Sequence, residues 1–158
     1  MNTIIGFSFE QNLENALLRE FGVHGFQIWN DINILRVFGD DITGVDFYCR
    51  YYDFIVTIKC NMTNTCLTDM TNFIYGSAII KETLKRDINN VNVHKIYVSN
   101  VLLTNAMQTA ATRKNVHIII DNNQQMIINA IIRKINEIYQ NQRQSQTHND
   151  STVSMDCN

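Results

Sequence analysis

The chain has 158 residues, of which 45% are hydrophobic and 18% charged, so it carries apolar material for one core and is too short for several domains. A net charge of −2 excludes a strongly basic nucleic-acid-coating protein, and no run near the roughly 18 apolar residues of a membrane span is present. The four cysteines form no CxxC pair and the four histidines are scattered, which supports neither a zinc site nor a disulfide framework. We therefore expect an intracellular protein without a membrane partner.

The charge is unevenly distributed along the chain. Residues 1–79 contain four Lys or Arg against nine Asp or Glu, whereas residues 80–145 contain nine against four. The second half is therefore the favoured surface for an anion, and it permits binding to a phosphate backbone without requiring it.

The first third of the chain predicts a helix followed by strands. Ser8 and Gln11 have the spacing of a capping box, and apolar residues from Phe9 onward repeat with helical spacing as far as Gly22, which predicts a helix of about 13 residues. Segments 26–29 and 32–38 lack that period and predict strands. Together with a hairpin of strands 45–50 and 53–60, they predict an antiparallel meander of about three strands.

The remainder predicts alternating helices and strands. Helices are expected at 68–86, from Thr104 through Lys114, and at 124–140, with strands at 95–99 and 116–120. Because a helix joins these two strands, they should be parallel and central in the sheet. The order αβββαβαβα predicts one α/β domain over residues 1–140, with a mixed sheet between helices. Residues 141–158 contain few apolar side chains and predict a flexible polar tail.

One pair of charged residues lies in the predicted hairpin. Lys59 shares a strand face with Ile55 and Thr57, because side chains two residues apart point the same way. An amine on so apolar a strand needs a partner, and Asp46 on the preceding strand is the nearest candidate. The pair is either a structural ion pair or one side of a site for a divalent metal and a water molecule.

Several short motifs, taken in order, carry a family resemblance. They resemble the Mrr-type restriction endonucleases of the PD-(D/E)xK nuclease superfamily, over about residues 5–135. The motifs are Gly6-x-x-Phe9-Glu10, Gly39-Asp40-Asp41 with Gly44-Val45-Asp46, Lys59-Cys60, Tyr97-Val98-Ser99-Asn100, and Thr104-x-Ala106 with Ala110. The resemblance implies a restriction-endonuclease-like fold and hydrolysis of DNA that depends on Mg²⁺ or Mn²⁺.

The resemblance also implies roles for individual residues. Asp46 would bind the metal, Lys59 would orient or activate the attacking water, and Glu10 would complete the metal shell. Carboxylate oxygens suit Mg²⁺, which stabilises the charge that develops on a scissile phosphate. This chain departs from the family at Thr57, where the family has Glu or Gln, and a threonine hydroxyl is a weaker, neutral metal ligand.

Three interpretations of Thr57 remain open. The substitution is tolerated, with Glu10, Asp46 and the phosphate holding the metal; or the missing carboxylate has moved along the strand; or the site has decayed. Asp53 is the nearest candidate for a moved carboxylate, but it lies four residues away, roughly 13 Å at ~3.3 Å per residue, so it cannot simply substitute. Glu10 is the better compensator.

Two further pairs of polar residues have alternative roles. Ser99 and Asn100 follow a parallel strand, where ligands commonly bind, so they are candidates for phosphate contacts; equally, they cap the loop before Thr104. Asp40 and Asp41 either shape a turn or bind metal.

Two functions from different classes follow. The first is a metal-dependent DNA endonuclease in which water attacks a phosphodiester, with a homodimer supplying one site for each strand. The second is a catalytically inactive nuclease-fold module that dimerises or binds nucleic acid or a protein partner.

Overall fold

The computed structural model describes residues 2–39, 42–63 and 66–156, with side chains described from residue 8 to residue 145. The helices and strands alternate along the chain with short connections. In order, they are α1 (Asn2–Glu20), a 3₁₀ turn (Gly22–His24), β1 (Gln27–Asn30), α2 (Asp31–Phe38), β2 (Phe47–Tyr51), β3 (Phe54–Asn61), α3 (Leu67–Leu84), β4 (Asn92–Ser99), α4 (Asn105–Arg113), β5 (Val116–Ile120) and α5 (Gln124–Asp156).

The strands form one sheet in the order β1-β2-β3-β4-β5. β1 and β2 are antiparallel, as are β2 and β3, whereas β4 runs parallel to both β3 and β5. The predicted mixed sheet between helices is therefore confirmed, including the parallel pair. The prediction that both parallel strands are central is right for β4 and wrong for β5, which lies at the sheet edge because no later strand in the described residues pairs with its outer side.

The segment 32–38 is a helix, so the prediction of a strand there is wrong. The side chain of Asn30 accepts a hydrogen bond from the Asn33 N–H and caps α2, while Gly39, at φ 103°, ends it. Ile34 is buried and Phe38 packs beside it, four residues later. In so short a segment, the spacing of apolar residues does not distinguish a helix from a strand. The N-cap at Asn30 favours the helix.

Two other helix boundaries differ from the predictions. α1 begins at Asn2, so Ser8 lies inside the helix and is not its N-cap; serine in a helix interior is only mildly unfavourable and does not impose a start. α5 continues to Asp156, beyond the predicted end at residue 140. The flexibility of residues 141–158 stays a prediction.

The core is divided by the sheet into two layers. α1 and α5 cover one face, packing on Phe54, Val56 and Ile58 of β3. α2, α3 and α4 cover the other face, packing on Ile55 of the same strand. The predicted alternation of β3 is thereby confirmed, and it sets which face each polar residue of the strand meets. In the described ranges no helix is long and apolar enough to cross a membrane.

Candidate functional site

The ion pair expected from the hairpin is present. Asp46 lies just before β2, where its N–H donates to the carbonyl of Ile58 at 2.9 Å. Its Oδ2 accepts the N–H of Cys60 at 2.8 Å and lies 3.6 Å from Nζ of Lys59. The side chains of Asp46 and Lys59 are 14% and 21% exposed, so both charges are only partly solvated. A backbone donor and an amine thus hold this carboxylate at the sheet end.

Glu10 of α1 is close enough to this pair to interact with it electrostatically. Its pKa is raised to about 7, first because the carboxyl is partly buried and then because the carboxylates of Asp46 and Asp31 repel its charge, while Lys59 opposes the shift. The pKa of Asp46 is also raised, mainly by burial, against the opposing effects of Lys59 and the Cys60 N–H. The fold therefore places Glu10 of α1 within electrostatic range of Asp46 and Lys59, which belong to one hairpin.

Asp31 is a further carboxylate near Glu10, and the sequence patterns did not predict it. It occupies the first turn of α2, directly after the N-cap residue Asn30, and is exposed. Reading 32–38 as a strand concealed it, although an Asn-Asp pair ahead of an apolar segment is a signal for a helix start. Its carboxylate contributes to the negative potential around Glu10.

Thr57 points away from solvent into α3. Its side chain is fully buried, and its hydroxyl shares a 2.8 Å hydrogen bond with the hydroxyl of Ser77. The position where the resemblance would place a third ligand is therefore occupied by a hydroxyl that is already paired inside the core. A ligand role for Thr57 stays a prediction, and this geometry offers it no support.

Ser99 and Asn100 form a turn at the end of β4. The Ser99 hydroxyl donates to the carbonyl of Val101 at 2.7 Å and accepts the Val101 N–H at 3.0 Å. The Asn100 amide donates to the carbonyl of Met62 at 3.1 Å. These bonds match the loop-capping alternative, and they engage the Ser99 hydroxyl and one N–H of the Asn100 amide.

The turn before β2 is packed directly against a helix. A Cβ built on Gly44 would lie 2.5 Å from the carbonyl carbon of Asn72 in α3 and 2.6 Å from its oxygen. Only glycine permits this approach, which positions the segment leading to Asp46. Asp40 and Asp41, predicted to shape this turn, lie outside the described residues.

The carboxylates of Glu10 and Asp46 are the groups that could hold a divalent cation here. Oxygen donors with raised pKa values at partly buried positions suit a hard cation, which would offset their mutual repulsion. In the part of the chain that the structure describes, no three His, Cys, Asp or Glu side chains are grouped to hold a metal ion. A metal at this site would therefore need further ligands from water or substrate.

These features define an α/β protein with a mixed five-stranded sheet and a carboxylate–lysine site at the end of its central hairpin. Comparison of the chain with protein-family models, curated proteins and solved structures finds no match.

Proposed function

We propose that this protein is a divalent-metal-dependent DNA endonuclease of the Mrr type, with a restriction-endonuclease-like fold. The element order supports the proposal, since a hairpin followed by parallel crossovers is what the resemblance of the sequence implies. The setting would be intracellular, because the described cysteines Cys49, Cys60 and Cys66 are free thiols, which fits a reducing compartment.

The observation that carries the proposal is the convergence of Glu10, Asp46 and Lys59. Asp46 and Lys59 form a partly buried ion pair, Glu10 lies within electrostatic range of it, and the pKa values of both carboxyls are raised; perturbed groups of this kind are common at functional sites. Glu10 and Asp46 would hold Mg²⁺ or Mn²⁺. The metal, when bound, would stabilise charge on the phosphate and promote ionisation of water.

The chain's own groups have separate tasks in this proposal. The Lys59 amine, held beside Asp46, would donate a hydrogen bond to the attacking water or to a phosphate oxygen. The Glu10 carboxyl, whose pKa without metal is raised to about 7, would have to release its proton in order to bind the cation. Cleavage of both strands of a duplex would require two such sites, so a homodimer is part of the proposal.

Metal titration combined with a plasmid-nicking assay tests the proposal. We expect the wild-type protein to bind Mn²⁺ and to nick plasmid DNA in its presence. Asp46→Asn should abolish both while leaving the thermal unfolding transition in place, because an amide oxygen still accepts the Cys60 N–H. Glu20→Gln, at an exposed position on the same helix as Glu10, is the matched control and should behave as wild type. Nicking that persists in Asp46→Asn would contradict the proposal.

A catalytically inactive module that binds nucleic acid or a protein partner is the second candidate. The Thr57–Ser77 hydrogen bond favours it, since it leaves the site with two carboxylates where the resemblance implies three metal-binding positions. For this function, no divalent metal would support cleavage, and DNA binding measured by fluorescence anisotropy would be the same for wild type and Asp46→Asn.

A further inference from the structure

A polar pocket lies on the α3 side of the sheet, toward the amino-terminal ends of β4 and β5. Its volume is about 380 Å³, within the range of small-ligand sites. The residues around it come from α3, β4, the start of β5 and the connection before β5. They include Ser77, Lys81, Asn92, Lys95, Lys114 and Asn115.

Three lysines converge on this pocket from three different elements. Lys81 lies on α3, Lys95 on β4 and Lys114 just after α4. None of the described residues that line it is acidic, and none of the three lysines forms an ion pair with a carboxylate in the described part of the chain. Three positive charges therefore face one space without compensation.

The electrostatic environment of Lys95 agrees with this geometry. Its pKa is lowered, first by burial and then by the positive charges of Lys81 and Lys114. The neighbouring amides of Asn92 and Asn115 are exposed and can donate hydrogen bonds. An anion in the pocket would relieve the repulsion among the amines and would find several donors already in place.

The pocket is distinct from the Asp46–Lys59 site. Lys95 pairs across the sheet with Thr57 and not with Lys59, whose partner on β4 is Tyr97. The Thr57–Ser77 hydrogen bond lies between the two, and Lys59 already has Asp46 as its partner. The lysines of the pocket and the charged residues of the Asp46–Lys59 site therefore form two separate groups.

We propose that this pocket binds a phosphate group, held by the amines of Lys81, Lys95 and Lys114. The group belongs either to a small phosphorylated molecule or to the backbone of a nucleic-acid strand, since both present the same oxyanion chemistry. Lysine amines act as point charges toward phosphate, and the convergence of three of them matches a group with more than one negative charge.

Two probes distinguish the sources: pyrophosphate, followed by isothermal titration, and a fluorescent single-stranded 12-mer, followed by anisotropy. We expect Lys95→Met and Lys81→Met to weaken binding of at least one probe by about tenfold or more. Lys85→Met is the matched control, because Lys85 directly follows α3, which carries Lys81, but is exposed and paired with Glu82. It should change binding by less than about twofold.

Loss of pyrophosphate binding in the pocket variants supports a small phosphorylated ligand, and loss of 12-mer binding alone supports a nucleic-acid phosphate. Binding of neither probe, or an equal loss in Lys85→Met, overturns the proposal. Asp46→Asn should leave pyrophosphate binding unchanged, which separates this pocket from the proposed nuclease site. As a measurement without a variant, the side-chain NMR signal of wild-type Lys95 should shift on addition of the probe that binds, and its constancy would also overturn the proposal.

Discussion

The hydroxyl of Thr57 on β3 lies 2.8 Å from the hydroxyl of Ser77 on α3, and both side chains are shielded from solvent. The pair joins the sheet to the helix that covers it. A glutamate at residue 57 would need space that α3 occupies at Ser77, so the two positions are coupled. At residue 57, where the proposed nuclease resemblance implies Glu or Gln, threonine is therefore part of the core packing.

The coupling predicts a non-additive pair of substitutions. Thr57→Val should lower the free energy of unfolding by about 1–3 kcal/mol, because it leaves the Ser77 hydroxyl buried without a partner. The double variant Thr57→Val/Ser77→Ala should recover much of that loss, since both polar groups are then removed. Urea denaturation of the four proteins in the cycle measures this. Additive losses would mean that the hydroxyls do not depend on one another.

The raised pKa of Glu10 predicts a pH-dependent stability. The folded protein holds the Glu10 proton up to about pH 7, whereas the unfolded chain releases it near 4.5, so stability should fall as the pH rises through this interval. In metal-free Glu10→Gln this contribution disappears. At pH 8 the free energy of unfolding of the variant should exceed that of wild type by on the order of 1–3 kcal/mol, a range that allows for solvent screening of a half-buried carboxyl. Urea midpoints at pH 5 and pH 8 test the sign, with Glu20→Gln as control; a variant that follows the wild-type curve would refute it.

The effect on stability of removing the amine beside Asp46 should also depend on pH. In Lys59→Met the carboxylate loses its positive partner, so its pKa rises further and its ionised form becomes more costly. We expect the free energy of unfolding to fall by about 1–3 kcal/mol at pH 8. The decrease should be smaller at pH 5, where a larger fraction of the Asp46 carboxyl is protonated. Chemical denaturation at both pH values measures the difference.

Lys85→Met provides the contrast. The Lys85–Glu82 pair is shorter, at 3.0 Å, but its side chains are 50% and 70% exposed. Solvent screens such a pair, so the change should cost less than about 0.5 kcal/mol and show little dependence on pH. A similar decrease in the free energy of unfolding in Lys59→Met and Lys85→Met would show that partial burial does not strengthen the Asp46–Lys59 pair.

The close approach of Gly44 to α3 predicts a large effect from one methyl group. Gly44→Ala would place its Cβ against the Asn72 carbonyl, so either the turn or the helix must shift. We expect the free energy of unfolding to fall by about 2–4 kcal/mol. The proposed metal binding should also weaken, because the turn leads directly to Asp46. Gly22→Ala, whose Cβ would meet only Leu18 at 3.5 Å, should change stability by less than about 1 kcal/mol. Thermal unfolding and Mn²⁺ titration of both variants test this.

Local patterns in the sequence were sufficient to predict much of the sheet. The alternation of residues on β3 predicts which side chains meet each helical layer, and the hairpin predicts the Asp46–Lys59 contact. The N-cap of α4 follows from Thr104, whose side chain accepts the N–H of Met107. These features depend on residues that are close in the chain, where period and capping chemistry are informative.

The features that were missed depend on contacts between distant segments. Ser77 lies 20 positions after Thr57, and nothing in either position alone indicates that they meet. Lys81, Lys95 and Lys114 appear in the sequence only as a surplus of positive charge in the second half, and the packing of α3, β4 and the end of α4 brings them to one pocket. One local feature was also misassigned: the seven residues 32–38 contain too few turns for a helical period to be recognised.

The two sites differ in what must be assembled to form them. Asp46 and Lys59 belong to a single hairpin, to which α1 adds Glu10, whereas β3 and β4, paired at Phe54 and Asn92, are joined in the chain through α3. The lysine pocket needs α3, β4 and the entry to β5 in place together, and β5 is an edge strand. We therefore expect partial opening of the β5 edge to abolish the pocket while the hairpin stays paired. Amide hydrogen exchange should accordingly be faster in β5 than in β3, which would make phosphate binding the more sensitive reporter of local unfolding.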